Sequence, residues 1–120
     1  MRRIAIDASA SVTALTTTSN IDFILTEYRI VKGGEVLAEN AVFGDYIVVQ
    51  VVHPDGVTVI AEYVHKKFLY PLSASIWNAE LDAGNLDTKI PPGFIIRVIY
   101  YPVDTFIRNV VVNYTMETVL

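Results

Sequence analysis

The sequence predicts an all-β fold: a single antiparallel β-sandwich, jelly-roll-like, with an extended N-terminal arm. Period-2 alternation with β-branched enrichment runs from end to end, and no helical pattern lasts beyond two turns. Gly and Pro punctuate the chain into seven or eight short segments, as sandwiches and jelly rolls require. The segment Asp45–His65 reads as a hairpin, DYIVVQVV–HPDG–VTVIAEYVH. Pro54 presets φ at the first turn position, Asp55 can bond the backbone ahead, and Gly56 suits a left-handed conformation.

In order along the chain, Arg3–Ala8 alternates Ile4 and Ile6 with Ala5 and Asp7, a short strand. Ser9–Asn20 is small and hydroxyl-rich, which suggests a loop or arm around a weak strand. Residues 1–20 are therefore assigned to an arm or edge strand and residues 21–120 to the sandwich. Ile21–Lys32 reads as a strand, Gly33-Gly34 as a turn and Glu35–Phe43 as a further strand. Tyr70–Pro92 is less regular, with a short helix or turn at Ser73–Leu81. Pro91-Pro92-Gly93 launches Phe94–Tyr101, and Ile107–Thr118 forms the last strand.

A three-residue hairpin loop would place His53 opposite Val57. It pairs Val51 with Val59, Val49 with Ala61, Ile47 with Tyr63 and Asp45 with His65. Ile47, Val49, Val51, Val59, Ala61 and Tyr63 then form a core face. The other face carries Tyr46, Val48, Gln50, Val52, Thr58, Ile60, Glu62 and Val64, too apolar for open water alone. On Phe94–Tyr101 the even positions form the core face, which leaves Arg97 among Ile95, Ile99 and Tyr101. An arginine in that setting suits a subunit contact. Val48, Gln50, Ile60, Glu62 and Arg97 are thus the candidate subunit interface.

The chain has 120 residues, a single-domain length. Hydrophobic residues make up 52% and charged residues 18%, against about 25% charged in a typical domain. Mean hydropathy is +0.42. That excess of apolar residues in a small domain points to surface covered by other subunits. No apolar run reaches the length of a spanning helix, since Glu62 and Arg97 interrupt the best candidates, and Asp7 spoils a signal peptide. A net charge of −4 without a basic stripe argues against nucleic-acid binding. The lack of cysteine removes disulfides and thiolate metal sites and fits a reducing cytoplasm.

Catalytic signals are weak. His53 and His65 stand at opposite ends of the hairpin and share no metal; Asp45 opposite His65 would be a charge pair at most. Asp82–Asp87 offers oxygen ligands but lacks the calcium-loop pattern. No cofactor motif is present. Trp77, beside Asn78 in the irregular region, is the candidate ligand or partner contact, with a core or subunit role as the plainer reading.

Three segments add a resemblance. Gly44-Asp45-Tyr46 before a turn, Pro91-Pro92-Gly93-Phe94 near the end, and Val112-Asn113-Tyr114 in the closing strand resemble small β-rich virion proteins of tailed bacteriophages. The resemblance covers residues 40–118. It implies a virion component, a head decoration or tail-associated protein, made in the bacterial host cytoplasm and partnered by its own copies and other virion proteins. It brings no catalytic residues. The alternative is a module that recognises a host glycan or receptor through the Trp77 region. A cupin-like enzyme is disfavoured by the want of clustered His and Glu ligands.

Overall fold

A computed structural model describes residues 3–65, 70–71, 76–81 and 89–119. Among the described residues nine strands run β1 Arg3–Leu15, β2 Ser19–Ile24, β3 Arg29–Glu39, β4 Tyr46–Val52, β5 Val59–His65, β6 Tyr70–Pro71, β7 Ile76–Leu81, β8 Ile95–Tyr101 and β9 Arg108–Val119. They form a five-stranded sheet, β1-β9-β3-β7-β6, and a four-stranded sheet, β2-β8-β4-β5. All pairings are antiparallel. First pairs with last, second with eighth, third with seventh and fourth with fifth. The chain is one long hairpin wrapped into two layers, which is the jelly roll.

The layers meet over alternate residues of each strand. Val36, Ala38, Val110, Val112, Tyr114 and Met116 come from the larger sheet. Ile21, Ile47, Val49, Val51, Ile96, Val98 and Tyr100 come from the smaller. Both sets are apolar at every second position, and β4 is buried on its other face as well, at Val48, Gln50 and Val52. The even face expected on β8 is the core face.

The hairpin has the expected residues in the turn and a different register. Gly56 N–H donates to His53 O, so Pro54 and Asp55 are the central turn residues and Gly56 follows at φ +77°. The Asp55 carboxylate accepts from the Val57 and Thr58 N–H groups and the Thr58 hydroxyl. That gathering lengthens the loop by one residue, and His53 N–H closes it on Thr58 O. A bulge at Ile60 adds a second one-residue slip. Ile47 therefore pairs with His65, Val49 with Tyr63 and Val51 with Ala61. The two slips cancel in parity, so Ile47, Val49 and Val51 keep the core face. Only Val59, beyond the bulge, changes sides and joins Val52 outside. Asp45 does not face His65.

Four further expectations are corrected. Strand β1 continues through Ser9–Ser11 to Leu15, because β9 supplies a partner along its length. Ile21–Lys32 is broken after Ile24, where Leu25 instead exchanges backbone hydrogen bonds with Phe94 and Gly93. Gly33-Gly34 is not a turn but runs inside β3, paired with Thr115 and Tyr114 just after a bulge at Lys32. A Cβ on Gly34 would lie 2.0 Å from the backbone oxygen of Asn113. The glycines serve a close backbone approach within the sheet. Ile76–Leu81 is a strand, not a helix or turn. The Asp82–Asp87 segment lies outside the described residues.

Two outcomes follow from these turns. Gly34→Ala should destabilise the fold by more than about 3 kcal/mol, since backbone must move. Gly56→Ala, with nothing within 4 Å of its added Cβ, should cost only about 1–2 kcal/mol for the left-handed conformation. Urea titration measures both. Asp55 is held at a pKa of about 2, chiefly by the Thr58 hydroxyl and then by the Thr58 and Val57 N–H groups. A depressed carboxylate stabilises the fold above its ordinary pKa and loses that contribution as pH falls through its folded value. The melting-temperature gap between wild type and Asp55→Asn should thus be constant near neutrality and close from pH 4 downwards.

Candidate functional site

The outer face of the four-stranded sheet carries one polar row between apolar rows. Cross-strand register lines up Asp22 of β2, Arg97 of β8, Gln50 of β4 and Glu62 of β5. Arg97 grips Asp22 with two bonds, Nε to Oδ1 at 2.8 Å and Nη2 to Oδ2 at 3.0 Å, and Nη2 also reaches Gly56 O at 3.2 Å. The hydrogen bonds to Asp22 raise the guanidinium pKa further. Gln50 Nε2 donates to Glu62 Oε2 at 3.0 Å. Each polar group in the row already has a partner on the same chain. Arg97 and Asp22 neutralise each other and can lose water together, whereas Glu62 keeps its charge beside a neutral amide.

On one side of that row run Ile24, Ile95, Val52 and Val59; on the other, Asn20, Ile99 and Val48. Beyond these, Tyr46 and Tyr101 stack with ring centroids 4.5 Å apart. Ile24 and Ile60 are 61% and 55% exposed. Of the residues singled out in the sequence, Val48, Gln50, Glu62 and Arg97 fall on this one face, and Ile60 is the bulge residue at its margin. Val48 and Gln50 are buried within the chain itself, Arg97 is half-buried, and Ile60 and Glu62 are exposed. Trp77 and Asn78 belong to the other sheet, in register with Ala38 and Leu37. The two candidate groups are not brought together.

A second apolar surface was not visible in the sequence. The β3–β4 and β8–β9 connections present Phe43, Val103, Phe106 and Ile107, with Phe43 and Phe106 about 69% and 73% exposed. These loops are fixed from below. Asp45 and Arg108, both fully buried, pair at 2.6 Å (Nε to Oδ2) and 3.1 Å (Nη2 to Oδ1). The Tyr100 hydroxyl donates to Asp45 Oδ2 and Val103 N–H to Oδ1. Arg108 Nη1 donates to Phe106 O at 2.7 Å and meets Asp104 Oδ1 at 2.9 Å. Burial, then the Asp45 hydrogen bond and charge, push the Tyr100 phenol far above its usual pKa. Arg108 shares the inward parity of Val110, Val112 and Tyr114; that parity was the signal that could have exposed it.

On the outer face of the larger sheet an open groove of about 810 Å³ is lined by Asp7, Ser9, Lys32, Glu35, Asn113 and Thr115 over Gly33-Gly34. Among the described residues no group of three or more His, Cys, Asp or Glu could hold a metal ion. His53 accepts the Asp55 N–H at Nδ1 and lies edge-on to Phe94.

No protein-family model and no curated protein matches the chain. Among solved structures it is similar to VP2 of infectious bursal disease virus in a subviral particle, with a TM-score of 0.42 and 14% identity. That match covers 97% of this chain and 32% of the other. A VP2 point mutant of the same virus, in derived T=1 particles, gives 0.40 and 16%, covering 97% and 31%. The chain spans about a third of the length of these proteins. At such values its function rests on its own residues.

Removing either partner of the buried ion pair leaves a stranded charge. Asp45→Ala and Arg108→Ala should each cost about 3–5 kcal/mol. The double variant should cost less than their sum, by about 0.5–3 kcal/mol. Equilibrium unfolding at unchanged m-value measures the cycle.

Proposed function

We propose that this chain is a non-enzymatic structural subunit of a virion, assembling with further copies and other virion proteins through its apolar outer surfaces. One observation carries the reading. Large apolar side chains stand exposed on rigid elements, and the arginine among them, Arg97, is paired with Asp22 within the chain. Such surfaces are arranged to be covered. The jelly roll supports it, being an architecture shared by capsid proteins, lectins and cupins. The resemblance over residues 40–118 to tailed-phage virion proteins favours a head decoration or tail-associated place on the particle. Many weak contacts repeated over such a particle would hold it by avidity.

The second reading, a glycan- or receptor-binding module using the Trp77 region, is supported by a polar groove of Asp7, Ser9, Glu35 and Asn113 on the same five-stranded sheet. Light scattering at rising concentration separates the two. Species larger than the 13.4 kDa monomer are expected. A monomer up to the solubility limit would sink the structural reading, and saturable glycan binding by that monomer would replace it.

A further inference from the structure

We infer that strand β1 is a dimerisation edge, pairing antiparallel with β1 of a second copy about a two-fold axis at Ser9. The inference rests on the reading of the chain as a self-assembling subunit and names the contact.

Strand β1 is 13 residues long, about twice the usual length. It closes the five-stranded sheet on one side and pairs only with β9 among the described residues. Its other side therefore directs the N–H and C=O groups of alternate residues away from the sheet. Folded proteins protect such an edge with Lys, Pro, a bulge or brevity. From Ile4 to Val12 this strand has none of these. It is regular along β9 until the shift after Val12, and Asp7 is its only charge.

The apolar row points to a neighbour as well. Ile6, Ala8, Ala10 and Val12 pack against the core but remain only partly buried. The sandwich is thus open along this margin, and a strand laid beside β1 would cover the row while satisfying the backbone.

The sequence of β1 fits itself. Centred on Ser9, an antiparallel pair sets Ala8 against Ala10, Asp7 against Ser11 and Ile6 against Val12. The sum of paired positions is even, so inward residues meet inward ones and both copies keep the same core side. Small residues allow close approach at the centre, and a β-branched pair closes each end. Each Asp7 meets a hydroxyl, well away from the other Asp7. Centring on Ala8 instead would bring the two carboxylates into diagonal contact. The result is a continuous ten-stranded sheet with a polar outer face.

Because the chain has no cysteine, the register can be read directly. In an antiparallel pair, opposed Cα atoms lie about 4.5–5.5 Å apart, within the roughly 4.4–6.8 Å that a disulfide spans. Under mild oxidation Ser9→Cys should give a covalent dimer, and Asn20→Cys, exposed on β2, should not. Ser9→Lys sets like charges face to face; sedimentation should show the dimer dissociation constant raised at least tenfold, with an unchanged circular dichroism spectrum and melting temperature of the monomer. Assembly that persists in Ser9→Lys, with no disulfide in Ser9→Cys, would overturn the β1 edge and leave the structural-subunit reading standing. A monomer at every concentration would overturn both.

Discussion

Asp45 and Arg108 are 63 positions apart and meet in the interior, where neither touches water. Asp45 leads into β4 of the smaller sheet, and Arg108 opens β9 of the larger. Their ion pair is a bolt through both layers. Tyr100 reaches it from β8, and Val103 and Phe106 are held to it through their backbones. A buried pair seldom adds net stability over well-packed hydrophobes. Its effect here is geometric: it sets the order of the layers at one end and fixes the loops that carry Phe43, Val103, Phe106 and Ile107. A looser joint would let those side chains fold back over the core. The apolar loop end is exposed because the pair beneath it leaves no slack.

The surfaces divide along the same layers. The smaller sheet and the loop end are largely apolar, with Arg97 paired to Asp22 and Arg108 to Asp45; the larger sheet is polar across Asp7, Ser9, Glu35, Asn113 and Thr115. One side thus offers largely apolar surface and the other hydrogen-bonding groups. The β1 edge adds a third kind of contact, main chain to main chain, whose strength depends little on side-chain identity.

Local regularity made most of the fold legible. Alternation marked the core faces of β4 and β8 correctly, because parity depends only on the strand's own pleat. Pro54, Asp55 and Gly56 announced their turn through backbone preference. Relations between distant strands stayed hidden. Gly33-Gly34 looks like a turn until Asn113, eighty positions later, requires a backbone without a side chain. Ser9–Leu15 looks like a loop until β9 gives it a partner. The hairpin register failed by two residues, since one carboxylate lengthened the loop and one bulge absorbed the difference, yet the faces survived. For the candidate site, the polar row was visible as Gln50, Glu62 and Arg97, but Asp22 was not, because nothing local to β2 announces the arginine across from it.

The nested order of pairing has a consequence for how the molecule is made. Strands β1 and β3 flank β9, so the larger sheet lacks its middle until the last strand leaves the ribosome. Before then only β4 with β5, and the short β6 with β7, have partners nearby in the chain. High contact order of this kind slows folding and leaves β1, β2 and β3 waiting for partners far along the chain. Completion of the fold and readiness to assemble therefore arrive together: the same closing strand that completes the core also presents β1 as an ordered edge.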